Sequence, residues 1–139
     1  MRKTKKPTYD MIKAAIVAAL EKEIGPDRMV LPATEANEFG PATKEMVLED
    51  CWGDYRFYSP EEWERRGETI GNKSHLSMTF EGIIYEYINY GQTDGEIEMR
   101  QMGMKPRRKD VMGAIQKALD PFDLYAELGF AWSLHVYDI

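Results

Sequence analysis

The chain has 139 residues, 43 % hydrophobic and 30 % charged, with a net charge of -6 and a single cysteine. That length suits one ordinary domain, and such a chain buries roughly two-thirds of its unfolded surface without staples. Cys51 alone forms no internal disulfide, and aromatics at 12 % are too many for a disordered chain.

The start, "MRKTKKPTYD", is basic and reads as a tail over residues 1–7. The following "MIKAAIVAAL" is interrupted by Lys13 and followed by "EKE". It is too short to span a bilayer and carries no cleavage context, so a cytoplasmic location is expected. Instead it reads as a helix over 9–24. Thr8 is placed to cap it and Asp10 suits the positive end of the dipole. Met11, Ile12, Ala15, Ile16, Ala19 and Leu20 share one face, and Gly25-Pro26 stops it.

Residues 28–45 hold two prolines and several small polar residues and read as loop, with a short strand at Met29–Leu31. "EMVLEDCWGDYRFYS" is rich in aromatic and branched residues and suggests a hairpin turning near Gly53-Asp54. In "SPEEWERRGE", Ser59 followed by Pro60 and Glu62 is a capping box. It predicts a helix over 60–66, anchored by Trp63 and stopped at Gly67.

"SHLSMTFEG" alternates, with Leu76, Met78 and Phe80 on one face and Ser77 and Thr79 on the other, so a strand is expected. "IIYEYINYG" favours strand by composition, with Glu81-Gly82 as the turn, yet Ile83, Ile84, Tyr87 and Ile88 also fit a helical face. "TDGEIEMRQM" reads as a short edge strand after Asp-Gly. A further helix is expected over about 107–119, on the stripe Val111, Met112, Ile115, Ala118 and Leu119. "PFDLYAELG" adds another turn or two. "FAWSLHVYD" alternates as a last strand, with Trp132, Leu134 and Val136 opposite Ser133, His135 and Tyr137. The sum is one α+β domain over 1–139 with a mostly antiparallel sheet of four or five strands.

Candidate chemistry is sparse. "GETIGNKS" at 67–74 resembles a phosphate-binding loop, but Gly67 and Gly71 enclose three residues and Asn72 separates Gly71 from Lys73. The pattern needs four residues and an adjacent Gly-Lys, on a loop that leaves a strand and opens a helix. Here a helix precedes and a strand follows, so a plain connection is expected. His75, His135 and Cys51 lack the close spacing of zinc ligands, so no metal and no cofactor are expected. Ser74, Ser77 and Ser133 lie near the histidines without a nucleophile elbow, and Glu81 and Glu86 flank "GIIY" without forming a clear acid pair. Cys51 has no cation in its local sequence to lower its pKa.

Charge and aromatics carry the remaining signal. Residues 34–64 hold nine acids against Lys44 and Arg56. Such a middle disfavours general nucleic-acid binding. The basic group Lys105, Arg107, Arg108 and Lys109 is the nucleic-acid alternative, although positive charge at the start of a helix opposes the dipole. Tyr and Trp are enriched at interface hot spots. Together these features suggest a non-enzymatic acidic module that binds another protein with a basic surface. Toxin-immunity and phage anti-defence inhibitors work in this way, with charge for fast association and aromatics for retention. The residues expected to carry it are Glu45, Glu49, Asp50, Asp54, Tyr55, Tyr58, Tyr85 and Tyr87. The alternative in chemistry is a small-ligand binder or hydrolase using His75 and His135.

Overall fold

The computed structural model describes residues 6–24 and 55–139. The expected strand at 29–31, the turn at Gly53-Asp54, Cys51 and the acids Glu45, Glu49, Asp50 and Asp54 lie outside the described residues. Helix α1 runs Tyr9–Ile24 as its periodicity predicts. Thr8 caps it, its hydroxyl accepting from the Met11 N–H at 3.2 Å. Strand β1 (Tyr55–Tyr58) leads into α2 (Pro60–Arg65), where the capping box is complete. The Ser59 hydroxyl accepts from the Glu62 N–H at 3.2 Å, and the Glu62 carboxylate accepts from the Ser59 N–H at 2.9 Å. That backbone hydrogen bond is the main cause holding the Glu62 carboxyl below its ordinary pKa.

Strand β2 (Leu76–Phe80) matches its alternation. One open alternative is then decided and one expectation fails. "GIIYEYINY" is helix α3 (Gly82–Tyr90), because burying Ile84 and Tyr87 with Ile83 and Ile88 beside them uses the helical face rather than the strand composition. "DGEIEMRQ" is helix α4 (Asp94–Gln101), not an edge strand. Thr93 and Glu96 form a second capping box, Glu96 accepting from the Thr93 N–H at 3.0 Å, so the Asp-Gly pair sits in a first turn instead of a hairpin.

Helix α5 is shorter than expected, Val111–Leu119, because Asp110 is its cap and accepts from the Gly113 N–H at 2.9 Å. A 3-10 turn, Asp120–Phe122, follows at the Asp-Pro pair. The segment expected to prolong the helix is strand β3 (Leu124–Leu128), and β4 (Ser133–Asp138) ends the fold.

The four strands form one antiparallel sheet in the order β1-β2-β4-β3, so the architecture is α+β. Successive side chains in a strand point to opposite faces. One face is apolar. Tyr55, Phe57, Leu76, Met78, Phe80, Leu124, Leu134 and Val136 meet Ile12, Ile16 and Leu20 of α1 and Val111, Ile115 and Leu119 of α5. Full burial of such a side chain contributes about 1.5–3 kcal/mol. The other face carries Tyr58, Ser77, Thr79, Ser133, His135 and Tyr137, and α2 with the 67–75 loop lies over part of it. No helix among the described residues is long and apolar enough to cross a membrane.

Candidate functional site

The second face of the sheet gathers His135 with Ser74, Ser77 and Ser133. The register pairs Ser77 of β2 with His135 of β4. Their side chains bond at 2.9 Å through Nδ1, and the Ser77 hydroxyl reaches that of Ser74, also at 2.9 Å. On the other side of the ring, Nε2 lies 3.0 Å from the Ser133 hydroxyl, which accepts the Phe130 N–H at 2.9 Å. One ring nitrogen of the neutral imidazole donates and the other accepts, and a hydroxyl, being both donor and acceptor, can serve either. His135 and the three serines are all buried. Burial pushes the imidazole pKa down to about 4, so the ring is neutral at pH 7.

The roof over this chain is "GETIGNKS". Trp63 drops from α2 onto the imidazole at a ring distance of 5.0 Å, and its indole N–H donates to the Ile70 carbonyl at 2.9 Å. Gly71 lies flat against both rings. A Cβ there would sit 2.3 Å from His135 Nδ1 and 2.7 Å from Trp63 Nε1, and its φ of +87° is one that glycine adopts without strain. Gly129 closes the other side, where a Cβ would meet His135 Nε2 at 2.5 Å. The loop therefore joins a helix to a strand, as its spacing implies, and its glycines give a histidine room to be enclosed.

A serine oxygen 2.9 Å from an imidazole nitrogen has the separation of a nucleophile and its base. Here the second ring nitrogen is held by a hydroxyl, and Ser77 and His135 have almost no exposed surface. What the arrangement does is satisfy every polar atom of a buried ring. His75 lies elsewhere, half-buried near the end of the sheet, with Nε2 3.0 Å from the Asp138 carboxylate. The two histidines thus have separate partners. Among the described residues, no three His, Cys, Asp or Glu side chains are grouped to hold a metal. Glu81 and Glu86 also separate. Glu81 is exposed beside the N-terminus of α3, whereas Glu86 accepts from the Asp94 N–H at 3.4 Å and has its pKa raised chiefly by burial.

Next to the histidine chain, the same face opens into a cleft of about 670 Å³. Tyr58 and Tyr85 line it, together with Arg56, Arg66, Thr79, Glu81 and Trp132, and Tyr55, a buried residue of the apolar face, borders it. Two guanidinium groups lie near the Tyr58 ring, Arg56 at 5.0 Å and Arg66 at 5.2 Å, and its hydroxyl accepts from Arg66 at 3.1 Å. Such cation–ring contacts fix flexible arginines. Trp132 was expected within the last strand, but β4 starts only at Ser133. It precedes the strand, is 36 % exposed, and stacks on Phe130 at 4.6 Å and 8°. The fourth expected tyrosine, Tyr87, is elsewhere, buried in the main core under Lys109.

The basic cluster is spread over three partners. Arg107 pairs with the Glu23 carboxylate at 2.7 Å and donates to its carbonyl at 3.2 Å. Arg108 donates to the Tyr90 carbonyl at 3.5 Å, and Lys109 lies 3.9 Å from the buried Glu96 carboxylate. Arg107 and Arg108 therefore sit at the C-terminal ends of α1 and α3, where cations are favoured. That relieves the dipole conflict seen in the sequence, since α5 itself starts only after Asp110. Lys105 is exposed.

Sequence reasoning missed Trp132, Arg56 and Arg66 as cleft residues. The signal available was the run "YRFY", in which Arg56 and Tyr58 share a strand face. No family model, no curated protein and no solved structure matches this chain.

Proposed function

We propose that the chain is a non-enzymatic protein-binding module, an inhibitor or accessory protein whose anchor point is the cleft beside β1. The observation that carries this reading is the rim of the cleft. An exposed Trp132 backed by Phe130 stands with Tyr58 and Tyr85, with two guanidinium groups held ready at fixed positions. Trp, Tyr and Arg are the residues that dominate interface hot spots, and pre-positioned side chains lose little entropy on binding. The contrast on the same sheet face supports it. His135 and its serines spend their hydrogen bonds on one another, while Trp132, Arg56 and Arg66 border open space and Tyr58 is buried behind them. The acids Glu45, Glu49, Asp50 and Asp54, just ahead of β1 in the chain, would steer a partner with a basic surface, and the cleft would retain it.

The test is capture of partners by the tagged full chain at low and moderate salt, with Trp132→Ala alongside. One stoichiometric partner that weakens as salt rises, and is lost in Trp132→Ala at unchanged melting temperature, is the expected result. Capture of nothing at either salt overturns the proposal. Neutralising the four acids together is expected to slow association and flatten its salt dependence.

A further inference from the structure

The segment "MRQMGM" places Met99, Met102 and Met104 within six residues at the end of α4. The backbone there is tightly specified. Met102 N–H bonds the Glu98 carbonyl at 3.1 Å, Gly103 N–H the Arg100 carbonyl at 3.1 Å, and Met104 N–H the Met99 carbonyl at 2.9 Å. The last two bonds, with Gly103 at φ +91°, make the helix-ending reversal in which the residue after the glycine folds back over the final turn. Met99 lies in the last turn of α4, and Met102, three residues on, is its C-cap. The reversal brings Met104 to the same corner.

These side chains are not core. Met102 is 68 % exposed and Met104 50 %, with Met99 partly buried beside them. A thioether is a soft, neutral donor that never needs to lose a proton. Soft ligands of this kind select Cu(I)-like cations over Mg2+ or Ca2+, which take oxygen. The site also stands at the carbonyl end of a helix, where the dipole favours a cation. Arg100, between Met99 and Met102 in sequence, is engaged by hydrogen bonds to Gln92 at 2.8 Å and to the Pro106 carbonyl. Lys105 follows Met104 and is exposed, with a long stem that lets its charge move off.

We propose that Met99, Met102 and Met104 form a three-thioether site for a soft monovalent cation, Cu(I) or Ag(I). The site is independent of the cleft and of the partner-binding reading. It needs no oxidation or reduction, only displacement of water from the ion by three sulfurs.

The test uses full-length Cys51→Ser protein, so that the thiol does not compete, titrated with silver nitrate in chloride-free buffer. Methionine methyl resonances are followed by carbon–proton correlation spectra. Met11, 44 % exposed on α1 and remote in sequence from the other described methionines, is the internal control. The expected result is that the methyls of Met99, Met102 and Met104 move together and saturate near one equivalent. Because linked donors raise the local concentration of ligand, Met11 should need at least about tenfold more silver. Met102→Leu/Met104→Leu should abolish the low-silver response of Met99 with an unchanged melting curve. If Met11 and Met102 move in parallel, or if no methyl moves at excess silver, there is no site and the proposal falls. A low-silver response that survives the double variant overturns it equally.

Discussion

The two faces of the sheet solve burial in opposite ways. Toward α1 and α5, β2 and β4 present Leu76, Met78, Leu134 and Val136, and cohesion there is apolar area and close packing. Toward α2 and the 67–75 loop, the same two strands present Ser77, Ser133 and His135, and cohesion is a hydrogen-bond chain closed over by glycines. The first face tolerates any side chain of the right volume and shape. The second tolerates very little, because a half-satisfied buried network is worse than an apolar one. The sheet thus has a forgiving side that makes it stable and an exacting side that fixes the cleft walls Tyr58 and Arg66 in place.

Substitutions can break or sharpen that contrast. The largest effect belongs to the apolar face. Leu134→Ala should cost about 3–4 kcal/mol by transfer and cavity terms, read as a urea midpoint shift that is the same at pH 7 and pH 5. On the polar face the signature is pH. His135 has a folded pKa of about 4 against an ordinary 6.5. The unfolded chain therefore binds a proton between pH 6.5 and 4 that the folded chain refuses. Stability from this group is complete above pH 6.5, falls as pH drops toward 4, and is level below. The loss is on the order of 3 kcal/mol. His135→Gln, which cannot titrate, should lack that part of the pH dependence, and equal slopes in the two proteins would refute the buried neutral ring.

Glycine substitutions separate crowding from backbone strain. Gly67 and Gly71 both have positive φ, at +76° and +87°, but nothing lies within 4 Å of a Cβ at Gly67. Gly67→Ala should cost about 1 kcal/mol, and Gly71→Ala about 2 kcal/mol or more, since it also displaces His135 or Trp63. Equal costs would mean that the roof has slack. The smallest effect on stability is at the cleft. Trp132→Ala should stay within about 0.5 kcal/mol of the parent in thermal melts, as surface changes usually do, while removing partner capture.

Local rules were readable in advance where the information lay within a few residues. The capping of α1 by Thr8 and of α2 by Ser59 needs only neighbours in sequence, and the alternation of "LSMTF" and "SLHVY" needs only a period of two. The capping box of Thr93 and Glu96 was equally local and was obscured by the Asp-Gly pair inside it. "IIYEYINY" was not decidable locally, since its composition and its periodicity disagree. Packing decided it, because only a helix buries Ile84 and Tyr87 together.

The sequence by itself therefore determined α1, α2, β2, β4, the α+β class and the place of "GETIGNKS" between a helix and a strand. These follow from caps, periodicity and spacing, all of which act over one or two turns of chain. Only the tertiary structure decided what that loop covers, how the basic cluster is spent, and which aromatics reach the surface. Ser77 and His135 are 58 residues apart, and Arg107 and Glu23 are 84 apart. No local pattern encodes such pairs. They arise when strands choose their register and helices their neighbours, a choice made by the whole core at once.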